Sequence, residues 1–329
     1  MTRQPEVSVV IPTRARGPLV SRAVRSAFAQ TVRDIEVVVV VDGPDDGATR
    51  QALADQADPR LRIVELDSRR GAPGARNAGV QQARAEWVAL LDDDDEWHQD
   101  KLATQLELAR GAGLARPIVS SRLTVRTPRA EFVLPRRVPA PGEPVSEYLT
   151  VRRGLFHGEG FVQTSTLMAP TALLLKVPFT EGLRRLQELD WTLRALEVDG
   201  TGLVMADEPL VIWYADENRP RISFDAPWRE QLDWLRRNSR LFTPRAYAAI
   251  TMSVISSMAA PSHSPRVFGT LLREATRHGR PGAVDYLTFA QIWLVPAGLR
   301  RVVRDRVLGR RRAARQPAAA PAGHDGGHA

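Results

Sequence analysis

The chain contains no cysteine, which excludes disulfides and thiolate metal sites together. Any metal it binds is therefore held by oxygen or imidazole. Lysine is almost as scarce, with only Lys101 and Lys176 among 46 basic residues. Neither lies near the first strand, so the glycine- and lysine-rich phosphate loop of many nucleotide enzymes is absent there. Long apolar runs are missing too. The best candidate, Ala283 to Leu299, is broken by Asp285, Gln291 and Pro296 and falls short of a membrane span. Met1 to Glu6 is polar and lacks the apolar stretch and cleavage site of a signal peptide. The expectation is a cytoplasmic protein, at most peripheral at the inner face of the cell membrane.

What is present fits an ordinary globular chain. Of 329 residues, 43% are hydrophobic and 26% charged, enough for one large α/β domain and an appendage. The formal charge of +8 is concentrated. Arg300 to Arg315 holds eight arginines against Asp305 alone, a net of +7. The body is close to neutral, and no nucleic-acid partner is expected.

Val7 to Ile11 and Ile35 to Val41 are β-branched runs without alternation, stopped by Pro12 and by Asp42-Gly43-Pro44. They read as strands buried on both faces. Leu19, Val20, Ala23, Val24, Ala27 and Phe28 recur at helical spacing between them. A helix at Ala48 to Ala57, a strand at Leu61 to Leu66, a loop at Gly71 to Gly74, a helix at Ala75 to Ala85 and a strand at Trp87 to Leu91 follow. Strands alternating with helices predict a mostly parallel, Rossmann-like sheet with helices on both faces. Ligands collect at the carboxyl ends of such strands, where Pro12-Thr13-Arg14, Asp42 and the aspartate run all fall.

Further strands are expected at Ile118 to Val125, Phe132 to Leu134, Val162 to Met168 and Leu210 to Tyr214, with a helix at Leu186 to Leu196. The expected division is a catalytic domain over 1–224, a helical, arginine-rich region over 225–315 and a disordered tail over 316–329.

Asp92 to Asp95 follow their strand without a break. In an extended backbone residues two apart share a side, so Asp92 and Asp94 converge on one cation. Carboxylates without sulfur suit Mg²⁺ or Mn²⁺, an ion able to offset charge on a diphosphate leaving group. Asp95 is expected to cap the helix that starts near Gln99.

The segments VSVVIPTRAR, VVVVVDGPDDG, GAPGARNAGV and ALLDDDDEW, in this order and spacing, resemble the family 2 glycosyltransferases of the GT-A fold. The likeness is strong over about Val7 to Arg110 and looser to about Ser223. It implies a nucleotide-diphosphate sugar donor, by analogy a UDP-sugar, with a divalent metal and inversion at the anomeric carbon. It also implies contacts of Pro12, Thr13 and Arg14 with the nucleoside, and of Asp42 with the base. Arg76 and Asn77 would lie near the base and diphosphate. Asp92 and Asp93 would face the ribose and diphosphate, with Asp94 as the main metal ligand. One departure is Asp42-Gly43-Pro44-Asp45-Asp46, where many relatives have two aspartates followed by Gly-Ser.

Inverting transfer needs a base for the acceptor hydroxyl. By the same resemblance Asp190, before Trp191 and a helix, is the expected base and Glu188 the reserve. His157, Gln163-Thr164-Ser165, Arg219 and Arg221 are weaker candidates for the acceptor pocket and the diphosphate. The acceptor class implied is a saccharide or lipid-linked saccharide of the bacterial cell envelope or an exopolysaccharide.

The arginine-rich segment reads equally as a helix on an anionic membrane or as a solvated helix against its own domain. Two other functions compete with transfer. One is a nucleotidyltransferase on a similar sheet, the other a non-catalytic sugar- or nucleic-acid-binding protein; the missing phosphate loop and the retained carboxylates weigh against them.

Overall fold

The structure, a computed structural model, describes residues 4–128, 130–154, 159–215, 227–300, 302–303 and 306–307. The expected roles of His157, Arg219 and Arg221, the tail over 316–329 and the boundary near 224 lie outside the described residues.

The first half alternates as expected. Strand β1 (Val7–Thr13) leads to α1 (Gly17–Phe28), β2 (Ile35–Val41), α2 (Ala48–Ala52), β3 (Leu61–Glu65), α3 (Gly71–Gln82) and β4 (Trp87–Leu90). Then come β5 (Glu96–Trp97), α4 (Lys101–Gly111), β6 (Arg116–Arg126), β7 (Glu131–Leu134), α5 (Val145–Thr150), β8 (Met168–Pro170), α6 (Thr171–Lys176), α7 (Gln187–Ala195) and β9 (Thr201–Tyr214). Among the described residues, helices α8 (Trp228–Arg237), α9 (Pro244–Ile250), α10 (Ser256–Ala259), α11 (Pro265–His278) and α12 (Ala283–Leu294) follow.

The strands form one sheet in the order β3-β2-β1-β4-β8-β6-β9-β5, with β7 on β6. Neighbours from β3 to β4 are parallel, as are β6 and β9, whereas β5, β7 and β8 pair antiparallel. Successive residues of β1 point to opposite faces. Val7, Val9 and Ile11 join Val20, Ala23 and Val24 of α1 and Leu102 and Leu106 of α4 in one core. Val10 joins Ala75 and Ala78 of α3 and Trp191 of α7 in the other. This is why the two valine runs show no alternation. A third core, from Leu232, Trp234, Ile250, Leu271 and Phe289, includes Leu193 of α7, so the closing helices are anchored to the sheet domain.

Three local expectations are corrected. Gly71–Gly74 is the first turn of α3 rather than a loop, because the Asp42 carboxylate accepts the Arg70 and Gly71 backbone N–H groups (2.7 and 3.0 Å) and caps the helix start. Val162 to Met168 is not a strand: Thr164–Thr166 is a single 3₁₀ turn whose Gln163 side chain accepts from Ser165 N–H (2.8 Å). The second helix stops at Ala52, short of Ala57.

Gly79 sets how closely α3 lies on the sheet. A Cβ there would stand 2.3 Å from Val10 Cγ1 and 3.0 Å from Val40 Cγ2. Gly79→Ala should therefore lower stability by about 1–3 kcal/mol, the usual cost of overpacking, less up to about 1 kcal/mol of gained helix propensity. Urea unfolding checks this; a variant more stable than the parent would contradict it.

Candidate active site

The carboxyl ends of β1, β2 and β4 converge with the 3₁₀ turn and the start of α7. After Leu91 the chain does not stay extended. It turns at Asp93 and Asp94, and Asp95 N–H donates to Asp92 C=O (3.2 Å). The even-and-odd logic of a strand therefore fails here, and each aspartate meets a different partner.

Asp92 pairs with Arg76 (2.7 Å) and accepts from Gln163 Nε2 (3.3 Å). Asp93 is buried and accepts from Thr13 Oγ1 (2.7 Å) and Arg16 Nη1 (3.1 Å). Burial raises its carboxyl to about 6, against the opposing pull of Arg16 and Thr13. Asp94 has a side chain 27% exposed, with Oδ2 3.6 Å from Arg16 Nη1. Its backbone carbonyl is held by Arg22 Nη2 (2.7 Å), itself paired with Glu96 (2.9 Å).

Asp95 is the clearest correction. It does not cap the next helix, whose first flanking residue is Asp100. Asp95 is fully buried and accepts from Ser165 Oγ (2.6 Å) and Gln163 Nε2 (2.8 Å). Burial, followed by the charges of Asp94 and Asp92, pushes its carboxyl well above the usual range. Its role is to fasten the 3₁₀ turn beneath the site.

Arg76 is the hub. It is buried in α3, donates to Gln187 Oε1 (2.6 Å) as well as Asp92, and its charge is stabilised by Asp92, Glu188 and Asp93 against burial. Asn77 beside it clamps α3 to the chain before α7, exchanging bonds with Phe179 C=O (2.9 Å) and N–H (2.8 Å).

The two base candidates separate sharply. Asp190 is 2% exposed. Its Oδ2 accepts from Thr180 Oγ1 (2.7 Å) and from Arg194 Nε and Nη2 (3.0 and 2.7 Å), and its Oδ1 from Trp234 Nε1 (2.8 Å). Asp190 is thus enclosed by four donor atoms, two of them on one guanidinium. Glu188 is half-buried beside Arg76, and among the described residues Thr164 Oγ1 is its hydrogen-bond donor.

Other expected contacts divide similarly. Pro12 and Thr13 are buried at the end of β1, whereas Arg14 is exposed. Ala15 takes a left-handed φ of 50°, and the residue that reaches the aspartates is Arg16. Nothing in the spacing separates Arg14 from Arg16; only the turn does. Asp45 accepts from Thr49 N–H (2.9 Å) and Gly47 N–H (3.1 Å) at the start of α2. Among the described residues no three His, Asp or Glu side chains form a closed metal cage.

Beneath the turn lies a residue the sequence did not single out. Lys101 is fully buried, donates to Gln105 Oε1 (2.6 Å) and sits 3.9 Å from the Trp97 ring. Gln105 Nε2 reaches Thr166 C=O (2.7 Å) and Trp97 Nε1 reaches Ser165 C=O (2.8 Å), so both steady the turn. Burial holds the Lys101 ammonium well below the usual lysine range. A base so depressed contributes stability that is full above its unfolded value and is lost as pH falls through its folded value. Raising pH from neutral toward about 10.4 should thus stabilise the parent relative to Lys101→Met. Thermal melts of both proteins across that range test it; a constant difference would contradict it.

Comparison with known proteins adds to this geometry. Residues 8–153 match the model of "Glycosyl transferase family 2". The chain is 43% identical over 109 residues to succinoglycan biosynthesis protein ExoO of Rhizobium meliloti, covering 33% of this chain and 31% of that one. It is 29% identical over 216 residues to the amylovoran biosynthesis glycosyltransferase AmsB of Erwinia amylovora, covering 63% of this chain and 69% of that one. Among solved structures, S. aureus TarS 1-349 in complex with UDP-GlcNAc superposes with a TM-score of 0.52 at 17% identity, covering 90% of this chain and 77% of that one. That last likeness shows a shared fold. The turn at Thr164–Thr166 and helix α7 lie beyond the matched residues 8–153, so their part in the site rests on geometry.

Proposed function

We propose that the chain, whose residues 8–153 match the model of glycosyl transferase family 2, moves a sugar from a nucleoside-diphosphate sugar, a UDP-sugar foremost, to a hydroxyl acceptor. The setting we propose is the synthesis of a bacterial exopolysaccharide or cell-envelope glycan, with a saccharide or lipid-linked saccharide as acceptor. The names of the succinoglycan and amylovoran relatives support that setting.

One observation carries the reading. Arg76 stands between the aspartate turn and Glu188, touching Asp92 and Gln187 directly. Support for the reading comes from a half-buried carboxylate, Glu188, close to the same guanidinium that pairs with Asp92. In the proposed step the acceptor oxygen attacks the anomeric carbon while its proton passes to Glu188. The bond from that carbon to the diphosphate oxygen breaks, and the nucleoside diphosphate leaves with the electron pair. Attack from the face opposite the diphosphate inverts the anomeric centre. Thr164 orients the Glu188 carboxyl, and Asp190 holds α7 in place through Arg194, Thr180 and Trp234.

For the nucleoside we propose Thr13 and the edge of Asp42, whose oxygens each keep a lone pair beyond their backbone bonds. Arg16 and Arg76 offer guanidinium groups toward the anionic end.

The donor set fits a hard divalent cation. Asp94 and Asp92 have side chains 27% and 24% exposed, and both offer oxygen. Mg²⁺ or Mn²⁺ is commonly held by one or two carboxylates together with substrate phosphates, without a closed protein cage. Bound there, such an ion would offset the charge of the leaving diphosphate. Asp94→Ala should abolish the Mn²⁺-dependent part of nucleoside diphosphate binding by calorimetry. Unchanged binding with and without Mn²⁺ would remove the assignment.

A further inference from the structure

Helices α8, α9 and α11 border an open cavity of about 610 Å³, within the range of roughly 300–1,000 Å³ that holds small molecules. It shares no described lining residue with the crevice. Trp234 of α8 faces Asp190, whereas Arg236, two residues on and so nearly opposite on the helix, lines the cavity. The two sites stand on different sides of α8.

The walls are tied across long stretches of sequence. The end of α11 lies against α9: Arg280 N–H donates to Pro244 C=O (2.9 Å), and a Cβ at Gly279 would stand 2.8 Å from the Ala248 backbone nitrogen. That close approach sets His278 beside Tyr247, with ring centroids 6.3 Å apart. Arg236 Nε and Nη2 donate to Glu274 (3.0 and 2.5 Å), which also accepts from the Tyr247 hydroxyl (2.7 Å). The Arg236 bonds hold the Glu274 carboxyl below the usual range, and burial holds the Tyr247 hydroxyl above its own. Near neutral pH the first is charged and the second protonated. Phe242 and Pro244 supply the apolar lining, with the Phe242 ring set edge-on to Trp234 at 5.9 Å.

These groups select the occupant. Arg236 is matched by Glu274 and, at 3.5 Å, by Asp233. An anion entering the cavity would meet the Glu274 carboxylate, and a cation would meet the Arg236 guanidinium. What stays open is mixed in kind: N–H groups of Arg236, lone pairs on the Tyr247 oxygen, the Ser239 hydroxyl and the His278 ring. A sugar hydroxyl both donates and accepts, which suits such a set. A pyranose ring also carries an apolar C–H face, which suits Phe242 and Pro244.

We propose that this cavity binds a neutral saccharide and gives the protein a second hold on glycan, outside the catalytic crevice. Its use in glycan synthesis rests on the transferase reading; the binding itself does not and is measured without a donor. The full chain is titrated by calorimetry with neutral tetrasaccharides of β-1,3- and of β-1,4-linked glucose, and with tetragalacturonate as the charged counterpart. At least one neutral tetrasaccharide should bind, and tetragalacturonate should bind no tighter. Ser239→Ala combined with His278→Ala, both at the exposed rim, should weaken that binding roughly tenfold through two lost hydrogen bonds. UDP binding and the thermal midpoint of this variant should match the parent. Each substitution is also made alone, so that a folded variant remains if the pair does not fold. Failure of both neutral tetrasaccharides to bind, or full affinity in the folded variants, would overturn the proposal. So would tighter binding of tetragalacturonate that the same substitutions weaken. A parent that binds the saccharide but no UDP would instead count against the transferase reading and leave this one standing.

Discussion

Glu188→Gln should slow sugar transfer by roughly 10²–10⁴-fold, the usual contribution of a positioned general base, while nucleotide binding stays unchanged. The amide keeps the size of the side chain and can still meet Thr164, but it cannot take a proton. The loss should therefore appear in kcat, with donor dissociation by calorimetry as the control. Glu188→Ala is the poorer test, because it removes the packing and the Thr164 contact as well as the basicity. Near-normal turnover by the glutamine variant would exclude Glu188 and return attention to a base brought by the substrate.

Asp190→Asn should behave in the opposite way. Its two oxygens accept from four donor atoms on Thr180, Arg194 and Trp234, in a site 2% exposed. An asparagine replaces one acceptor oxygen with a donor and leaves Arg194 without its carboxylate. Breaking a buried pair in this way costs about 3–5 kcal/mol. Thr180 tethers the chain before α7 and Trp234 belongs to α8, so the loss should loosen the joint between the sheet domain and the closing helices. Denaturant unfolding should show a large fall in stability, while the folded fraction retains transfer. A stable Asp190→Asn protein without activity would reinstate Asp190 as the base.

The contrast between these residues shows where sequence was informative. The valine runs announced buried parallel strands because they are short, β-branched and apolar on both faces. The aspartate run announced the crevice because it ends such a strand. What spacing alone did not supply was direction. Asp93 and Asp94 sit in a turn, so four consecutive carboxylates diverge to Arg76, Thr13 with Arg16, the crevice, and the turn below. Residues two apart on a helix lie on nearly opposite sides, so Glu188 and Asp190 could not both face an acceptor. A signal for the choice was present: Asp190 and Arg194 are four apart, the spacing of an ion pair on one helix. The 3₁₀ turn was hidden because Val162 to Met168 has strand-like composition, and the partners that fix it as a turn, Asp95, Trp97 and Gln105, lie far off in sequence. Lys101 read as an ordinary helix start because burial of a lone lysine is settled by what packs over it.

The central claim is that the crevice breaks the bond between a sugar and a nucleoside diphosphate. Following the phosphorus of each of a panel of nucleotide sugars by ³¹P NMR, with diamagnetic Mg²⁺ and a saccharide acceptor, tests it most directly. The account predicts that the parent protein releases nucleoside diphosphate from one donor and that Glu188→Gln binds this donor without releasing it. Release of inorganic pyrophosphate or nucleoside monophosphate would mean that a different bond is cut. Binding without turnover of every donor by the parent would equally contradict the account.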